Sequence, residues 1–174
     1  MRALLDLTAS TQPPDDVVSD AADRLEEVVA MLRPHRVAEN AAPAGARLDL
    51  PGRGHPMLIP LVVDSWTDDE AHARVTFRRA HVGGGGAAHG GTVALLFDDV
   101  LGRLANTGRR TPARTAYLHV NYRAVTPIDV ELRVEATVDR EEGRKRYATC
   151  RLFRGDVLVA DAEGLFVQLL PGQP

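Results

Sequence analysis

The chain has 174 residues, 26% of them charged and 44% hydrophobic, with a formal net charge of −3. This length suits one domain with a substantial core. The balanced charge gives no indication of binding to nucleic acid or to an anionic membrane surface. A single cysteine excludes an internal disulfide, and no apolar run approaches the ~20 residues of a membrane span. We therefore expect a cytoplasmic protein that binds neither nucleic acid nor membranes.

The first third of the chain predicts a helical extension followed by a connector. Residues 1–14 have an irregular pattern that ends in two prolines. A helix is predicted from Asp15 to about Arg33, because apolar residues recur at helical spacing and Pro34 ends the run. Residues 37–56 are rich in Ala, Pro and Gly, which is typical of an extended connector. We accordingly divide the chain into an extension, residues 1–55, and a main domain, residues 56–174.

A second helix is predicted in the middle of the chain, from Thr92 to about Asn106, after the glycine-rich run at 83–86. Its apolar residues are not confined to one stripe, and a helix that is apolar all round is buried. Two adjacent aspartates lie in its centre. Asp99 has Arg103 four residues on, so an i,i+4 ion pair accounts for it. Asp98 has no basic residue at such a position, and a carboxylate in apolar surroundings requires either hydrogen bonds from elsewhere in the fold or a function.

Strands dominate the remainder, so the fold class is α+β. Segments 73–78, 113–124, 130–139, 147–153 and 157–169 alternate between apolar and polar residues or are bounded by tight turns such as that at Gly143. These features predict an antiparallel meander with the central helix on one face. Within 113–124 the alternation assigns Thr115 to the polar face, together with Tyr117 and His119.

Three groups near the central helix indicate a site for acyl transfer to water. The amides of Gly90 and Gly91 at the helix N-terminus can bind a developing negative charge. Asp98 can serve as base or nucleophile, and Thr115 can orient a water. However, Gly90 and Asp98 are separated by roughly 12 Å along one helix at 1.5 Å per residue, which is too far for one substrate. Two copies with opposed helices would bring them together, so we expect at least a dimer.

The sequence resembles the hot-dog-fold acyl-CoA thioesterases of the PaaI-like kind, within the thioesterase superfamily. The resembling segments lie between about 86 and 170: His89-Gly90-Gly91, Asp98, Thr115, Asn121-Tyr122, Glu142-Gly143-Arg144-Lys145 and Ala162 to Val167. The resemblance implies a long central helix wrapped by an antiparallel β-sheet, and a homodimer or a dimer of dimers whose sheets are continuous. It also implies that an acyl-CoA is the substrate and that no cofactor is needed beyond the coenzyme A of the substrate.

The resemblance also implies roles for individual residues. Asp98 corresponds to the general base or nucleophile, and Gly90, with Gly91, to the amides that polarise the thioester carbonyl. Thr115 corresponds to the residue that positions water, and His89 to the motif histidine that shapes the loop. One departure concerns Gly83, because some relatives have an asparagine six residues before the histidine.

Basic residues are candidates for binding the coenzyme A phosphates. Arg144 and Lys145 lie in a predicted turn, and Arg123 lies on the polar face of the same predicted strand as Thr115. Such residues are usually solvated, but arginine recognises phosphate well. We therefore retain Arg123, Arg144 and Lys145 as substrate-binding candidates.

Other functions are less favoured. Cys150 lies on an apolar strand face, which is typical of a buried structural cysteine. His81 and His89 lack the further clustered ligands of a metal site, so no metal is expected. The glycine run lacks the Gly-Lys-Ser/Thr of a phosphate-binding loop. The alternatives to a thioesterase are a non-catalytic acyl-CoA-binding or regulatory hot-dog protein and, less favoured, a hydratase, whose usual Asp/His pair is not apparent.

Overall fold

The computed structural model describes residues 1–173 and has one long helix packed against a six-stranded sheet. Two helices come first, α1 (Arg2–Thr8) and α2 (Asp15–Leu32), followed by 3₁₀ turns up to residue 54. The remaining elements are β1 (Leu61–Trp66), β2 (Glu70–Thr76), β3 (Val82–Gly84), β4 (Ala87–Ala88), α3 (Gly90–Ala105), β5 (Ala113–Tyr122), β6 (Glu131–Glu142), β7 (Lys145–Arg154) and β8 (Val157–Gln168). The expected α+β architecture is confirmed.

The large sheet is antiparallel throughout, with the strand order β1-β2-β6-β7-β8-β5. Its strands alternate as the sequence predicts: in β6, Leu132, Val134 and Ala136 are buried between exposed or half-buried neighbours. Because the period of a strand is two, one face of the sheet is apolar and packs on the helix, while the other carries charged side chains. This alternation places the core between α3 and the sheet.

The helix α3 buries one side against the sheet and leaves the other side partly accessible. Its fully buried residues are Val93, Leu96, Phe97, Val100, Leu101, Leu104 and Ala105. Close packing requires Gly164 on β8, because a Cβ there would lie 2.9 Å from the Phe166 ring and 3.4 Å from Leu101. Asp98, Asp99 and Gly102 lie on the half-buried side. The helix therefore presents its two aspartates away from the sheet core.

The N-terminal residues differ from the expectation of an irregular start. Residues 2–8 form α1, which is held by tertiary contacts rather than by its own length. The Asp6 carboxylate accepts a hydrogen bond from the Ala80 amide (3.0 Å), and the Arg2 guanidinium donates to the carbonyls of Pro51 and His55, both at 3.0 Å. Such long-range bonds are not visible in a local pattern, which explains the wrong prediction.

The helix α2 agrees closely with its predicted bounds and buries none of its residues. Its apolar stripe, including Leu25, Val28 and Val29, is exposed. Within residues 1–173, no helix is both long enough and apolar enough to span a membrane.

Candidate active site

The N-terminus of α3 is shaped by the glycine-rich turn between β3 and β4. This turn brings residue 83 against residue 89, where a Cβ on Gly83 would lie 2.8 Å from the Cα of His89. Glycine is therefore required at residue 83. Gly84, Gly85 and Gly86 all have positive φ angles, which glycine adopts at low cost.

His89 caps the helix through its side chain, and this cap occupies one of the two glycine amides but not the other. His89 Nδ1 accepts a hydrogen bond from the Gly91 amide (3.0 Å), so this amide is already engaged. The Gly90 amide, the first of the helix, has no hydrogen-bond partner among the residues that the structure describes. Since the first amides of a helix lack intrahelical acceptors, that of Gly90 is free to bind an external oxygen. The expectation that both amides are free is thus corrected: only the Gly90 amide is.

Tyr122 fixes the position of Gly90 from the end of β5. Its hydroxyl donates to the Gly90 carbonyl at 2.8 Å, and the phenol ring lies where a Cβ on Gly90 would meet it at 3.3–3.6 Å. Tyr122 belongs to the Asn121-Tyr122 pair of the family resemblance but was not among the predicted site residues. Its membership of that pair is the sequence signal that could have identified it.

The Asp98 carboxylate is held from the neighbouring strand. The Thr115 hydroxyl donates to Asp98 Oδ1 at 3.0 Å, which is the hydrogen bond that the apolar surroundings of Asp98 require. Sequence alternation assigned Thr115 to the same face as Tyr117, and this assignment was wrong. A bulge at Ala116 makes Thr115 pair with buried Phe166 and Tyr117 pair with Leu165, which turns Thr115 towards the helix.

Asp99 has a different partner from the one predicted. Its carboxylate binds the Arg53 guanidinium through two contacts, Nη2–Oδ1 at 2.8 Å and Nη1–Oδ2 at 3.3 Å, and both side chains are largely buried. The guanidinium of Arg103 instead stacks on the ring of Trp66, with its Cζ 4.0 Å from the ring centroid. Burial, followed by the nearby charge of Arg53, lowers the pKa of Arg103. The buried Arg53 contacts Asp99 twice and takes the place of the expected i,i+4 pair with Arg103. Asp99 is therefore held in an ion pair, and Asp98 is the accessible carboxylate.

An open cleft of about 540 Å³ lies beside the two aspartates. Its walls include Asp98, Gly102 and Thr115, and on the opposite side Gly45 and Leu48 from the connector. Within one chain, Gly90 and Asp98 are eight residues apart on the same helix, about 12 Å at 1.5 Å per residue. A reacting group contacts its base and its oxyanion donor at about 3 Å each, so the two do not form one site within a single chain.

The candidate phosphate contacts are distributed over the sheet and its turns. Arg123 pairs with Asp161 (Nε–Oδ1 2.5 Å), and this hydrogen bond lowers the pKa of the Asp161 carboxyl. Arg144 donates to the Gln168 carbonyl at 2.8 and 3.1 Å, whereas Lys145 is exposed. The two arginines are therefore already engaged in the free protein.

Cys150 lies apart from this site, on the apolar face of β7. It is fully buried, and burial raises the pKa of its thiol. A buried thiol with a raised pKa has little thiolate and is a poor nucleophile. The interpretation of Cys150 as a buried cysteine is confirmed.

Part of the chain is similar to known thioesterases and to a putative esterase. The model of the thioesterase superfamily matches residues 85–160. The acyl-coenzyme A thioesterase THEM4 of Bos taurus is 31% identical over 88 residues, which cover 49% of this chain and 35% of THEM4. A putative esterase of Pseudomonas aeruginosa is 35% identical over 88 residues, or 49% of this chain and 66% of the esterase. The chain thus spans about a third of the length of THEM4.

Similarity of structure extends further along the chain than similarity of sequence. The crystal structure of a thioesterase superfamily protein superposes with a TM-score of 0.81 and 24% identity, covering 96% of this chain and 86% of that one. At this identity the superposition establishes the fold alone, and the fold is the one that the resemblance implied. The helix lies against an antiparallel sheet, so the chain has the hot-dog fold, and the segment 85–160, which includes Asp98 and Thr115, is similar to the thioesterase superfamily.

Proposed function

We propose that this protein is an acyl-CoA thioesterase, which hydrolyses the thioester of an acyl-CoA to a free acid and coenzyme A. The observation that carries the proposal is the Asp98 carboxylate, half-buried on an apolar helix and hydrogen-bonded by Thr115 at 3.0 Å. The free amide of Gly90 at the start of the same helix supports it. The name of the relative THEM4, an acyl-coenzyme A thioesterase, supports the substrate class.

The proposed chemistry needs only groups of the protein and one water molecule. Asp98 accepts a proton as the water oxygen bonds to the thioester carbon, and the Gly90 amide stabilises the oxyanion that forms. The carbon–sulfur bond then breaks, and the thiol of coenzyme A leaves with the electron pair of that bond as a thiolate. Because a thiol has a pKa of about 8.5, it leaves without a strong general acid. Asp98 acting as a nucleophile that forms an anhydride is the alternative route with the same products.

A second copy of the chain completes the site in this proposal. Among the described residues, β5 is an edge strand that pairs only with β8. The backbone donors and acceptors along the other edge of its ten residues are therefore unpaired. Long open edges favour pairing with another strand. Pairing of β5 with β5 of a second copy about a twofold axis makes the sheet continuous and sets the two α3 helices side by side. Asp98 of one copy then faces Gly90 of the other, which gives two equivalent sites.

The test is a thiol-release assay over acetyl-, octanoyl-, palmitoyl- and phenylacetyl-CoA, combined with equilibrium binding of the same compounds. We expect release of free coenzyme A with at least one of them, at a rate that is proportional to the protein concentration. Tight binding of acyl-CoA with no thiol release from any of them contradicts the proposal and identifies the protein as a binding module.

A further inference from the structure

One wall of the cleft at Asp98 comes from outside the segment that matches the family. Residues 45–54, here called the strap, precede β1 and lie against the exposed side of α3. The strap contributes Gly45 and Leu48 to the cleft that contains Asp98 and Thr115. Its position therefore decides how much space lies next to the carboxylate.

The strap is a closed loop built around Arg53. The Arg53 carbonyl accepts hydrogen bonds from the amides of Gly45 (3.0 Å) and Arg47 (3.3 Å), while its Nε donates to the Gly45 carbonyl (2.9 Å). The backbone of Arg53 is in the left-handed region, with φ of 53°, which is uncommon for a residue with a side chain. From this conformation its guanidinium reaches Asp99, next to Asp98. The ion pair thus fixes the strap to the helix at the site.

Leu48 is the apolar residue that the strap presents to this cleft. It is 71% exposed although the strap itself is anchored at both ends. A single exposed leucine is common on protein surfaces. This one, however, lies in the same cleft as Asp98 and Thr115.

A second observation at the same cleft concerns Gly102 of α3. It lies one helical turn after Asp98, on the same side. Glycine within a helix costs about 1 kcal/mol relative to alanine, and packing does not require it, since a Cβ would make only an ordinary contact of 3.6 Å with Phe166. Without a side chain at Gly102, the helix backbone itself forms this part of the cleft wall.

We propose that Leu48 and Gly102 form the subsite for the acyl group, with Leu48 determining which acyl chains are accepted and Arg53 and Asp99 acting as positioning residues for the strap. This inference rests on the proposed function. Leu48 is the one large apolar side chain in a lining that is otherwise polar, and the cleft adjoins the carboxylate that would act on the thioester carbon. An acyl chain extending from that carbon into the cleft would cover Leu48 and remove its exposed surface from water.

The experiment compares Leu48→Ala with the matched variant Leu32→Ala, an exposed leucine (55%) at the end of α2, away from the cleft. Thiol release is measured with the series from acetyl- to palmitoyl-CoA. Leu48→Ala is expected to lower kcat/KM about tenfold for acyl chains that reach the strap, mainly through KM, and to leave acetyl-CoA unaffected. Leu32→Ala is expected to have the wild-type profile.

Gly102→Val tests the same subsite from the opposite wall. The added side chain fills the space next to Asp98, so the longest accepted acyl chain should become shorter, with acetyl-CoA still hydrolysed. An unchanged chain-length profile in both Leu48→Ala and Gly102→Val overturns the inference. An equal loss for every acyl-CoA accompanied by dissociation of the dimer also overturns it, because Leu48 is then an interface residue. Absence of turnover in the wild type would instead refute the proposed function.

Discussion

Replacement of Asp98 by asparagine isolates the charge of the carboxylate. Asparagine has the same shape, and its side-chain oxygen can still accept the hydrogen bond that Thr115 donates at 3.0 Å. No other hydrogen bond to the Asp98 carboxylate is present within residues 1–173. We therefore expect Asp98→Asn to fold and assemble as the wild type does, with a change of less than about 1 kcal/mol in the free energy of unfolding.

The effect on the reaction should be much larger. A positioned base contributes roughly 10²–10⁴-fold to a rate, which equals about 2.7–5.4 kcal/mol at 1.36 kcal/mol per factor of ten. The assay follows coenzyme A release at saturating acyl-CoA, with Asp156→Asn in the exposed turn between β7 and β8 as the matched control. We expect kcat to fall by at least about a hundredfold in Asp98→Asn and to stay unchanged in the control. A kcat within about threefold of wild type in folded Asp98→Asn refutes the assignment of the base.

Three further predictions concern the residues around this site. Thr115→Val removes the donor to Asp98 and should lower kcat about tenfold, whereas Thr115→Ser retains the hydroxyl and should keep most of the activity; equal losses in the two variants contradict this role. Tyr122→Phe removes the hydrogen bond to the Gly90 carbonyl, which is partly solvated. Denaturant unfolding should therefore show a free energy of unfolding that is lower by about 0.5–1 kcal/mol, and kcat should fall severalfold. Cys150 is the only cysteine and its pKa is raised by burial, so a chromogenic disulfide reagent at mildly alkaline pH should label the protein only after denaturant is added; immediate labelling of the native protein contradicts its burial.

Much of the fold could be predicted from local patterns. The helix α2 and the hairpins joining β6, β7 and β8 follow from apolar periodicity and from turn residues such as Gly143, because each depends on neighbours in sequence. The central helix was predicted from Thr92 and begins at Gly90. Helix ends depend on capping, here by the His89 side chain, more than on periodicity.

Features that depend on distant residues could not be predicted in this way. The partner of Asp99 is Arg53, 46 residues away, and no local pattern links them. The bulge at Ala116 turns Thr115 towards the helix, but the alternation of the strand alone assigns it to the opposite face. The prediction that Asp98 needs a hydrogen bond from another element was more robust, because the cost of burying a carboxylate does not depend on which element supplies the donor.

The proposal that each site combines Asp98 of one copy with the Gly90 amide of another can be tested by removing that amide. Gly90 is the first residue of α3, a position where proline is well tolerated, and proline has no N–H. The preceding residue, His89, has φ of −61° and ψ of 134°, which suits a residue before proline. Gly90→Pro should therefore retain the helix, with a shift of a few tenths of an ångström at the Tyr122 side chain, which the new Cβ would meet at 3.3 Å, and lose about 10²–10³-fold in kcat.

The most direct measurement is the activity of a purified heterodimer with one Asp98→Asn chain and one Gly90→Pro chain. If each site takes Asp98 and Gly90 from different chains, one site of the heterodimer carries both changes and the other carries neither. We therefore expect both homodimers to be nearly inactive and the heterodimer to have about half of the wild-type kcat per dimer. A heterodimer as inactive as both homodimers would place Asp98 and Gly90 in the same chain's site and contradict the account.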